Sequence, residues 1–281
     1  MRGTTRDLVA LVKPRITVLS VATAAAGLAL APGAASGGLF AITLVATLFL
    51  VGSANTLNQY VERDVDGLMK RTRNRPLPAG RLAPPIALWF GLAQATVAIP
   101  ALVLGANLLT GALGALALVL YVLVYTPMKR HSTWALIVGA VPGAMPPLLG
   151  WTAVTGRLDA GALAVFAVIF VWQIPHFLAI SLFQRHEYAA AGMKVMPGVN
   201  GEAATRRTIV WGLVLQILVT LSLIPIGIGG IGYGIGAAIG GAFMLGWGLV
   251  GLRPATGDRW ARGLFLVSVI YLPVLFGLMF V

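Results

Sequence analysis

The sequence predicts an all-α fold: a polytopic membrane helix bundle of about nine transmembrane helices, in a single domain over residues 1–281. Composition is the first observation. Apolar residues fill 58% of the chain, charged residues only 10%, and the mean hydropathy is +0.91. Because roughly a quarter of the residues of a soluble domain are charged, this chain has too few charges to cover itself in water. The second observation is a series of apolar runs, each near the ~20 residues that cross a bilayer as a helix.

The sequence contains nine such apolar runs. The first follows basic residues and precedes small ones, a pattern that a cleaved signal peptide also shows, but eight further runs favour a helix that stays in the protein. The eighth carries Gly232, Gly236 and Gly240, whose spacing of four lets helices approach closely. The nine runs are Ile16–Ala34, Phe40–Leu57, Ile86–Leu104, Thr110–Tyr125, Trp134–Ala153, Ala162–Phe183, Ile209–Ile228, Ile231–Leu252 and Leu264–Val281.

The charged residues are divided unevenly between the two sets of loops. Of the 20 Lys and Arg residues, 19 lie in the N-terminal segment and after the second, fourth, sixth and eighth runs, while the other set holds only Arg157. The positive-inside rule therefore predicts a cytoplasmic N-terminus and a C-terminus outside. The net charge of +12 indicates contact with a lipid bilayer surface and no nucleic-acid partner. With no transit peptide before the first run, we expect a bacterial cell (inner) membrane protein.

An acidic segment follows the second run. Asn58, Glu62 and Asp66 are four residues apart, so they would form one column of oxygen ligands if the helix continues through them. Such oxygens suit Mg²⁺, which takes one or two carboxylates together with substrate phosphates. The basic residues just beyond them, Lys70, Arg71, Arg73 and Arg75, would bind phosphate oxygens. The alternative is a solvated loop whose charges pair with each other and with lipid headgroups. The absence of cysteine excludes thiolate metal sites.

Two further polar groups interrupt or border the apolar runs. Trp172, Gln173 and His176 lie inside the sixth run, where an intramembrane histidine is a functional candidate or, alternatively, a helix–helix hydrogen bond beside Pro175. At the end of the fourth run, Tyr125, Lys129 and Arg130 form either a positive-inside anchor or a phosphate contact.

These strings together resemble the UbiA-type intramembrane prenyltransferases. Asn58-x3-Glu62-x3-Asp66 is similar to the first aspartate-rich motif of that family, and Trp172-Gln-x-Pro-His-Phe177 resembles a signature of its protoheme IX farnesyltransferase branch. Lys13-Pro-Arg15 and Arg75-Pro-Leu-Pro78 fit the same branch. The sequence departs from the pattern where Glu62 replaces an aspartate, where Ala135 replaces an expected asparagine, and in a sparse second acidic motif around Glu187.

The resemblance implies one prenyltransferase domain whose Mg²⁺-dependent reaction joins farnesyl diphosphate to a vinyl group of heme b. Loss of diphosphate would give an allylic cation, and water would capture the cation formed next on heme. The implied catalytic residues are Asn58, Glu62, Asp66 and His176, and the implied metal ligands are Asn58, Glu62, Asp64, Asp66 and Glu187. The implied diphosphate-binding residues are Lys70, Arg71, Arg75, Tyr125, Lys129, Arg130 and Arg185, and those for heme are Trp172, Gln173 and His176. The family's pathway adds a heme A synthase as a partner that receives the product.

Two other functions remain open at the level of sequence. A quinone-type aromatic ring as acceptor would keep the chain in the same family, but the string from Trp172 to Phe177 argues against it. A secondary transporter for an anion would place its polar residues and broken helices near the middle of the membrane. Most ionisable groups of this chain lie instead at one rim.

Overall fold

The computed structural model describes residues 2–253 and 256–280, and this part of the chain contains helices and no strands. The α-helices are α1 Arg2–Leu11, α2 Pro14–Leu30, α3 Gly37–Asp66, α4 Pro84–Gly105, α5 Leu108–Val119, α6 Thr126–Met128, α7 Ala135–Thr155, α8 Ala160–Phe183, α9 Arg185–Ala190, α10 Met196–Val199, α11 Glu202–Leu221, α12 Ile231–Val250 and α13 Asp258–Leu278. A π-helical segment, Leu120–Tyr125, joins α5 to α6.

The predicted membrane bundle is confirmed. Within the described residues eight helices are long and apolar enough to cross a membrane, and α1 with α2, bent by 46° at a short break, can form a ninth span. Several helices extend beyond the predicted runs: α3 continues past Leu57 to Asp66, α11 begins at Glu202 and α13 at Asp258. Apolar runs mark only the part of a helix inside hydrocarbon, and the same helix continues into the headgroup layer where charges are solvated. The predicted last residue of the ninth run, Val281, lies outside the described residues.

The break between α1 and α2 places the N-terminal segment against α3. Leu11 is fully buried, and its carbonyl accepts a hydrogen bond of 2.6 Å from the amide of Gln59 in α3. Asp7 of α1 pairs with Arg81 at 3.0 Å. Lys13, in the break, has a φ of 49° and is followed by a proline at the start of α2. The bend therefore turns α1 across the end of the bundle and directs Lys13 toward α3.

Close contact between α2 and α7 builds one wall of the interior. A Cβ atom on Gly27 would lie 2.0 Å from the Pro147 carbonyl oxygen, and one on Gly150 would lie 2.1 Å from the Ala24 carbonyl oxygen. Only glycine permits this approach of two backbones. The helix α7 also contains three prolines, which a membrane helix tolerates when its neighbours pack against it.

The loops at one end of the bundle pack against each other, and we call this end the charged end. The Lys194 amide donates to the Lys129 carbonyl at 2.8 Å, which ties the segment after α9 to the end of α6. Arg206 of α11 donates to the carbonyls of Gly251 and Thr256, at 2.9 and 2.7 Å, between α12 and α13. A buried apolar cluster joins the end of α3 to the segment after α8: Val65, Met69 and Ala191. The basic loops thus gather on one face, as their spacing predicts.

Candidate active site

The last two turns of α3 carry a buried column of polar side chains. Asn58, Glu62 and Asp66 are 1%, 7% and 1% exposed, because α3 continues without a break through all three. The Asn58 amide donates to Glu62 Oε2 at 3.0 Å and to Thr126 Oγ1 at 3.0 Å. The structure therefore brings the three residues to one helical face, where the spacing of four predicts them.

Two cations reach the column from neighbouring loops. Lys129 Nζ lies 2.8 Å from Glu62 Oε1, and Arg75 Nη1 lies 2.6 Å from Asp66 Oδ2. The Thr72 hydroxyl donates to the Asp66 carbonyl at 2.7 Å, which holds the turn after α3 so that Arg75 folds back onto the helix end. Anions with several oxygens, such as diphosphate, are bound where arginine and lysine donors converge in this manner.

Lys13 is a third cation at the column, and the sequence patterns did not assign it a role. Its ammonium donates to Asn58 Oδ1 at 3.2 Å. Burial lowers the pKa of Lys13 to about 7, and the positive charges of Arg75 and Lys129 act in the same direction. Within the described chain Lys13 is the one non-glycine residue with a positive φ, a strained conformation that is typical of functional positions. The available signal was its place in the Lys-Pro-Arg string before α2.

The π-helical segment Leu120–Tyr125 sets the orientation of the residues at the end of α6. The Thr126 hydroxyl donates to the Tyr121 carbonyl at 2.7 Å, while the Lys129 ammonium lies 4.4 Å from the centre of the Tyr125 ring. A Cβ atom on Gly139 of α7 would lie 2.4 Å from that ring, so the missing side chain makes room for it. Single π-helical turns often occur at functional sites, where they turn side chains off the regular helical face.

Other residues predicted for the metal or the diphosphate lie outside the column. The Asp64 side chain is 82% exposed and lies 3.9 Å from Arg63, on the side of α3 that faces away from Glu62 and Asp66. The exposed predicted phosphate ligands lie around the column and contribute no described ion pair to it: Lys70, Arg71 and Arg130.

Arg185 and Glu187 occupy the second charged loop. Arg185 is held by two carboxylates, with Nε 2.9 Å from Glu202 Oε1 and Nη1 2.5 Å from Asp258 Oδ1. The structure thus places Arg185 in an ion-pair network between α9, α11 and α13. Glu187 Oε2 is buried and has no hydrogen-bonding partner among the described residues.

The donor set fits Mg²⁺ bound together with a phosphate ligand. Across the described residues no three His, Asp or Glu side chains form a metal cluster by themselves. Mg²⁺ does not require one, because it commonly takes one or two carboxylates and fills its other positions with phosphate oxygens and water. Glu62 and Asp66 would supply the carboxylates and Asn58 an amide oxygen, and Lys13, Lys129 and Arg75 would offset the charge of the phosphate. Asp64 does not fit this set, since its carboxylate points away.

The predicted heme residues divide between two faces of α8. The Trp172 indole donates to the Ser268 carbonyl at 2.9 Å, and His176 Nδ1 lies 2.7 Å from the Ser268 hydroxyl, so both face α13. Trp172 and His176 also stack, with ring centres 4.4 Å apart. Gln173 faces α7 instead, where its amide donates to the Ala140 carbonyl at 2.9 Å. Adjacent residues of a helix point in different directions, so the three do not share one surface.

Ser268 of α13 is the hydrogen-bonding partner of His176. The Ser268 hydroxyl lies 2.7 Å from the Phe265 carbonyl and 2.7 Å from His176 Nδ1. In the tautomer whose Nδ1 donates to Ser268, the Nε2 atom of His176 keeps a free lone pair. An oriented neutral imidazole of this kind can accept a proton or bind a metal ion through Nε2.

An apolar cavity of about 110 Å³ lies next to the column, inside the bundle. It is bounded by α2, α3, the π-helical segment and α7, and its lining includes Leu50, Asn55, Tyr121 and Pro146. Asn55 lies three residues before Asn58, slightly less than one helical turn, so the cavity begins where the polar column ends. The polar column is thus followed by the apolar cavity, an arrangement that suits a ligand with a charged head and an apolar chain.

A buried column of Asn58, Glu62 and Asp66 bordered by cations, beside an apolar cavity within a membrane bundle, is the arrangement expected of an intramembrane prenyltransferase. The model of the UbiA prenyltransferase family matches residues 20–270. The chain belongs to this family, in the branch of the protoheme IX farnesyltransferases.

Similar sequences and structures support this assignment. The chain is 50% identical over 275 residues to a protoheme IX farnesyltransferase of Anaeromyxobacter sp. (strain Fw109-5), covering 98% of this chain and 93% of the relative. It is 56% identical over 238 residues to one from Sorangium cellulosum (strain So ce56), covering 84% of each chain.

Two solved structures share the fold at low identity. A digeranylgeranylglyceryl phosphate synthase superimposes with a TM-score of 0.84 at 12% identity, over 99% of this chain and 98% of the other. A UbiA homologue from Archaeoglobus fulgidus, solved bound to GPP and Mg²⁺, gives a TM-score of 0.67 at 14% identity, over 98% of this chain and 100% of the other.

Proposed function

We propose that this single-domain enzyme transfers the farnesyl group of farnesyl diphosphate to a vinyl group of heme b, with addition of water, and that the transfer requires Mg²⁺. The observation that carries the donor half is the buried column of Asn58, Glu62 and Asp66, paired with Lys129 and Arg75 beside an apolar cavity. The acceptor half is supported by the names of relatives that are half identical to this chain.

The donor would bind with its diphosphate at the column and its chain in the cavity. Mg²⁺ held by Asn58, Glu62 and Asp66 would neutralise charge on the diphosphate oxygens. Lys13, Lys129 and Arg75 are placed to stabilise the negative charge that grows as the diphosphate leaves. Each of these three cations contacts a residue of the column, so the fold holds them beside the place where that charge would develop.

The allylic cation left behind must be kept from water until heme attacks it. The lining of the cavity is largely apolar and includes Tyr121, whose ring centre lies 5.2 Å from that of Tyr125. Aromatic faces stabilise cations within about 6 Å, and apolar walls exclude water.

We assign Trp172 and His176 to the heme side of the reaction. They form one stacked pair, and the free Nε2 of His176 can orient heme through its iron or accept a proton. Gln173, which the resemblance also assigns to heme, packs toward α7 instead, where its amide joins that helix to α8.

We also propose that the charged end faces the cytoplasm of a bacterial cell whose inner membrane holds the bundle, with the C-terminus outside. The support is the positive-inside distribution, in which 19 of 20 Lys and Arg residues belong to one set of segments. A heme A synthase remains a proposed partner through the family's pathway.

The function is tested by mass spectrometry of the purified protein in lipid, with heme b, farnesyl diphosphate and Mg²⁺, beside a sample with EDTA. We expect a metal-dependent product with the mass of heme b plus farnesyl plus water. A prenylated product formed only when a quinone-type aromatic acceptor replaces heme b would contradict the proposed acceptor. Intact heme b and intact farnesyl diphosphate after incubation would contradict the transferase activity itself.

A further inference from the structure

One face of α3 changes from polar to apolar at Asn58. Toward the charged end this face continues with Glu62 and Asp66, and in the opposite direction, at the same spacing of four, come Ala54 and Leu50. Both Ala54 and Leu50 line the apolar cavity next to the column. Ala54 carries only a methyl group, whereas Leu50 is 4% exposed and belongs to a buried apolar cluster. The face that carries the column therefore continues as a wall of the cavity and reaches a large apolar side chain at Leu50.

The deep end of the cavity is the end farthest from the column. The helices α3 and α5 run toward the charged end, and α7 runs away from it. Of the residues that line the cavity on these helices, the deepest are accordingly Leu50, Ala117 and Leu149. Leu50 and Leu149 belong to one buried cluster, and Leu149 is 1% exposed. At a rise of 1.5 Å per residue, Leu50 lies about 12 Å from Asn58 along α3.

The protein is closely packed beyond these leucines. A Cβ atom on Gly114 of α5 would lie 3.2 Å from Leu50 Cδ2, so this leucine already fills the space beside α5. Farther from the column, the hydroxyls of Thr110 and Thr152 are 3.0 Å apart, and the Asn107 amide donates to the Thr152 carbonyl at 2.8 Å. These hydrogen bonds tie the start of α5 to α7 within one turn of the leucine on α7. Close packing and a polar contact between two helices thus close the deep end.

We propose that Leu50 and Leu149 form the floor of the cavity and set the longest prenyl chain that the enzyme accepts. This inference deepens the proposed function and rests on it, because there the chain of the donor lies in this cavity. A donor whose diphosphate is held at the column extends its chain toward the two leucines, and an additional isoprene unit would overlap with their side chains. Close-packed interiors yield little to such overlap, so the longer donor is disfavoured. The two leucines determine specificity and contact no reacting atom.

The floor is tested by competition between donors of different length. The full chain in lipid receives heme b, Mg²⁺ and equal concentrations of geranyl, farnesyl and geranylgeranyl diphosphate, and mass spectrometry measures the prenylated hemes. Because the donors compete for the same enzyme molecules, the product ratio reports relative kcat/KM and is independent of the fraction of folded protein. In Leu149→Ala, the ratio of geranylgeranyl to farnesyl product should rise by about tenfold or more, as expected when an apolar pocket is enlarged.

Two further variants make the competition decisive. Leu213→Ala is the matched control and should keep the wild-type ratios, since Leu213 is also 1% exposed but lies in the main core and does not line the cavity. Ala54→Leu adds a side chain nearer the column and should raise the ratio of geranyl to farnesyl product by about tenfold. Unchanged ratios in Leu149→Ala and Ala54→Leu, or an equal shift in Leu213→Ala, would overturn the floor. Ala54→Leu decides alone if Leu149→Ala does not fold.

A measurement without heme separates the floor from the reaction. Each diphosphate is added with Mg²⁺ alone, and its Kd is obtained from the rise in melting temperature. Leu149→Ala should lower the Kd of geranylgeranyl diphosphate about tenfold relative to that of farnesyl diphosphate, while Leu213→Ala should leave this ratio unchanged. If the wild-type protein makes no prenylated heme from any donor, the proposed function fails, and the Kd values still decide the floor. An unchanged Kd ratio in Leu149→Ala, or no stabilisation by any of the three donors, would overturn it.

Discussion

Asp66 and Asp64 offer the sharpest comparison in the molecule, because they are two residues apart and have opposite surroundings. Asp66 is 1% exposed and its carboxylate is 2.6 Å from Arg75, whereas the Asp64 side chain is 82% exposed. The substitution to asparagine keeps the shape of each side chain and removes only its charge. We therefore expect Asp66→Asn to disable the enzyme and Asp64→Asn to leave it near the wild-type level.

The expected effect of Asp66→Asn can be estimated for activity and stability separately. Removing one group that stabilises transition-state charge costs about 10²–10³ in rate, and a lost metal ligand belongs at the upper end of that range. For stability, a hydrogen bond to a charged group contributes about 1.5–3 kcal/mol when buried. Since the Arg75 side chain is 26% exposed and regains water, we expect a loss of only about 1 kcal/mol.

The assay is farnesyl transfer to heme b at saturating Mg²⁺, followed for wild type, Asp66→Asn and Asp64→Asn, with a thermal melt of each protein. A loss near a thousandfold in Asp66→Asn with a small change in melting temperature is the expected result. Equal losses in the two variants would refute the assignment of the metal to the buried face of α3, and so would full activity in Asp66→Asn.

Further predictions concern the cations and the histidine. Lys129→Ala should lower turnover by about 10²-fold, because its ammonium meets the column, while Arg130→Ala, an exposed neighbour, should change it less than about threefold; the same kinetic assay decides. His176→Gln should raise the KM for heme b more than that for farnesyl diphosphate, and equal changes in both values would remove His176 from the heme side. Because the pKa of Lys13 is lowered in the folded protein, the unfolded chain binds more protons than the folded chain between pH 7 and 10. In EDTA, the free energy of unfolding should therefore rise with pH in that window, and it should rise less in Lys13→Met. Melting curves across that pH range measure this difference, and parallel pH profiles for the two proteins would contradict it.

The parts that the sequence predicts well are those governed by local periodicity. The number of spans follows from runs of apolar residues, and the column follows from a spacing of four on a helix that continues into the headgroup layer. The same geometry explains the position of Asp64, which is two residues from both Glu62 and Asp66 and therefore points away from them once the helix continues. Trp172 and Gln173 contact different helices because adjacent residues of a helix point in different directions.

The remaining features depend on contacts between distant segments, which spacing does not encode. Arg185 is engaged by Glu202 and Asp258 from two later helices, so its charge alone did not indicate its partner. Lys13 reaches Asn58 only because the chain adopts a left-handed conformation before α2. The hydrogen-bonding partner of His176, Ser268, is 92 residues away in sequence.

Whether the column of Asn58, Glu62 and Asp66 holds a metal-bound diphosphate is measured most directly by magnetic resonance with Mn²⁺ in place of Mg²⁺. Farnesyl diphosphate should produce a strong phosphorus hyperfine coupling to the bound Mn²⁺, which should disappear in Asp66→Asn and persist in Asp64→Asn. A coupling of equal strength in all three proteins would place the metal elsewhere and contradict the column as the reacting centre.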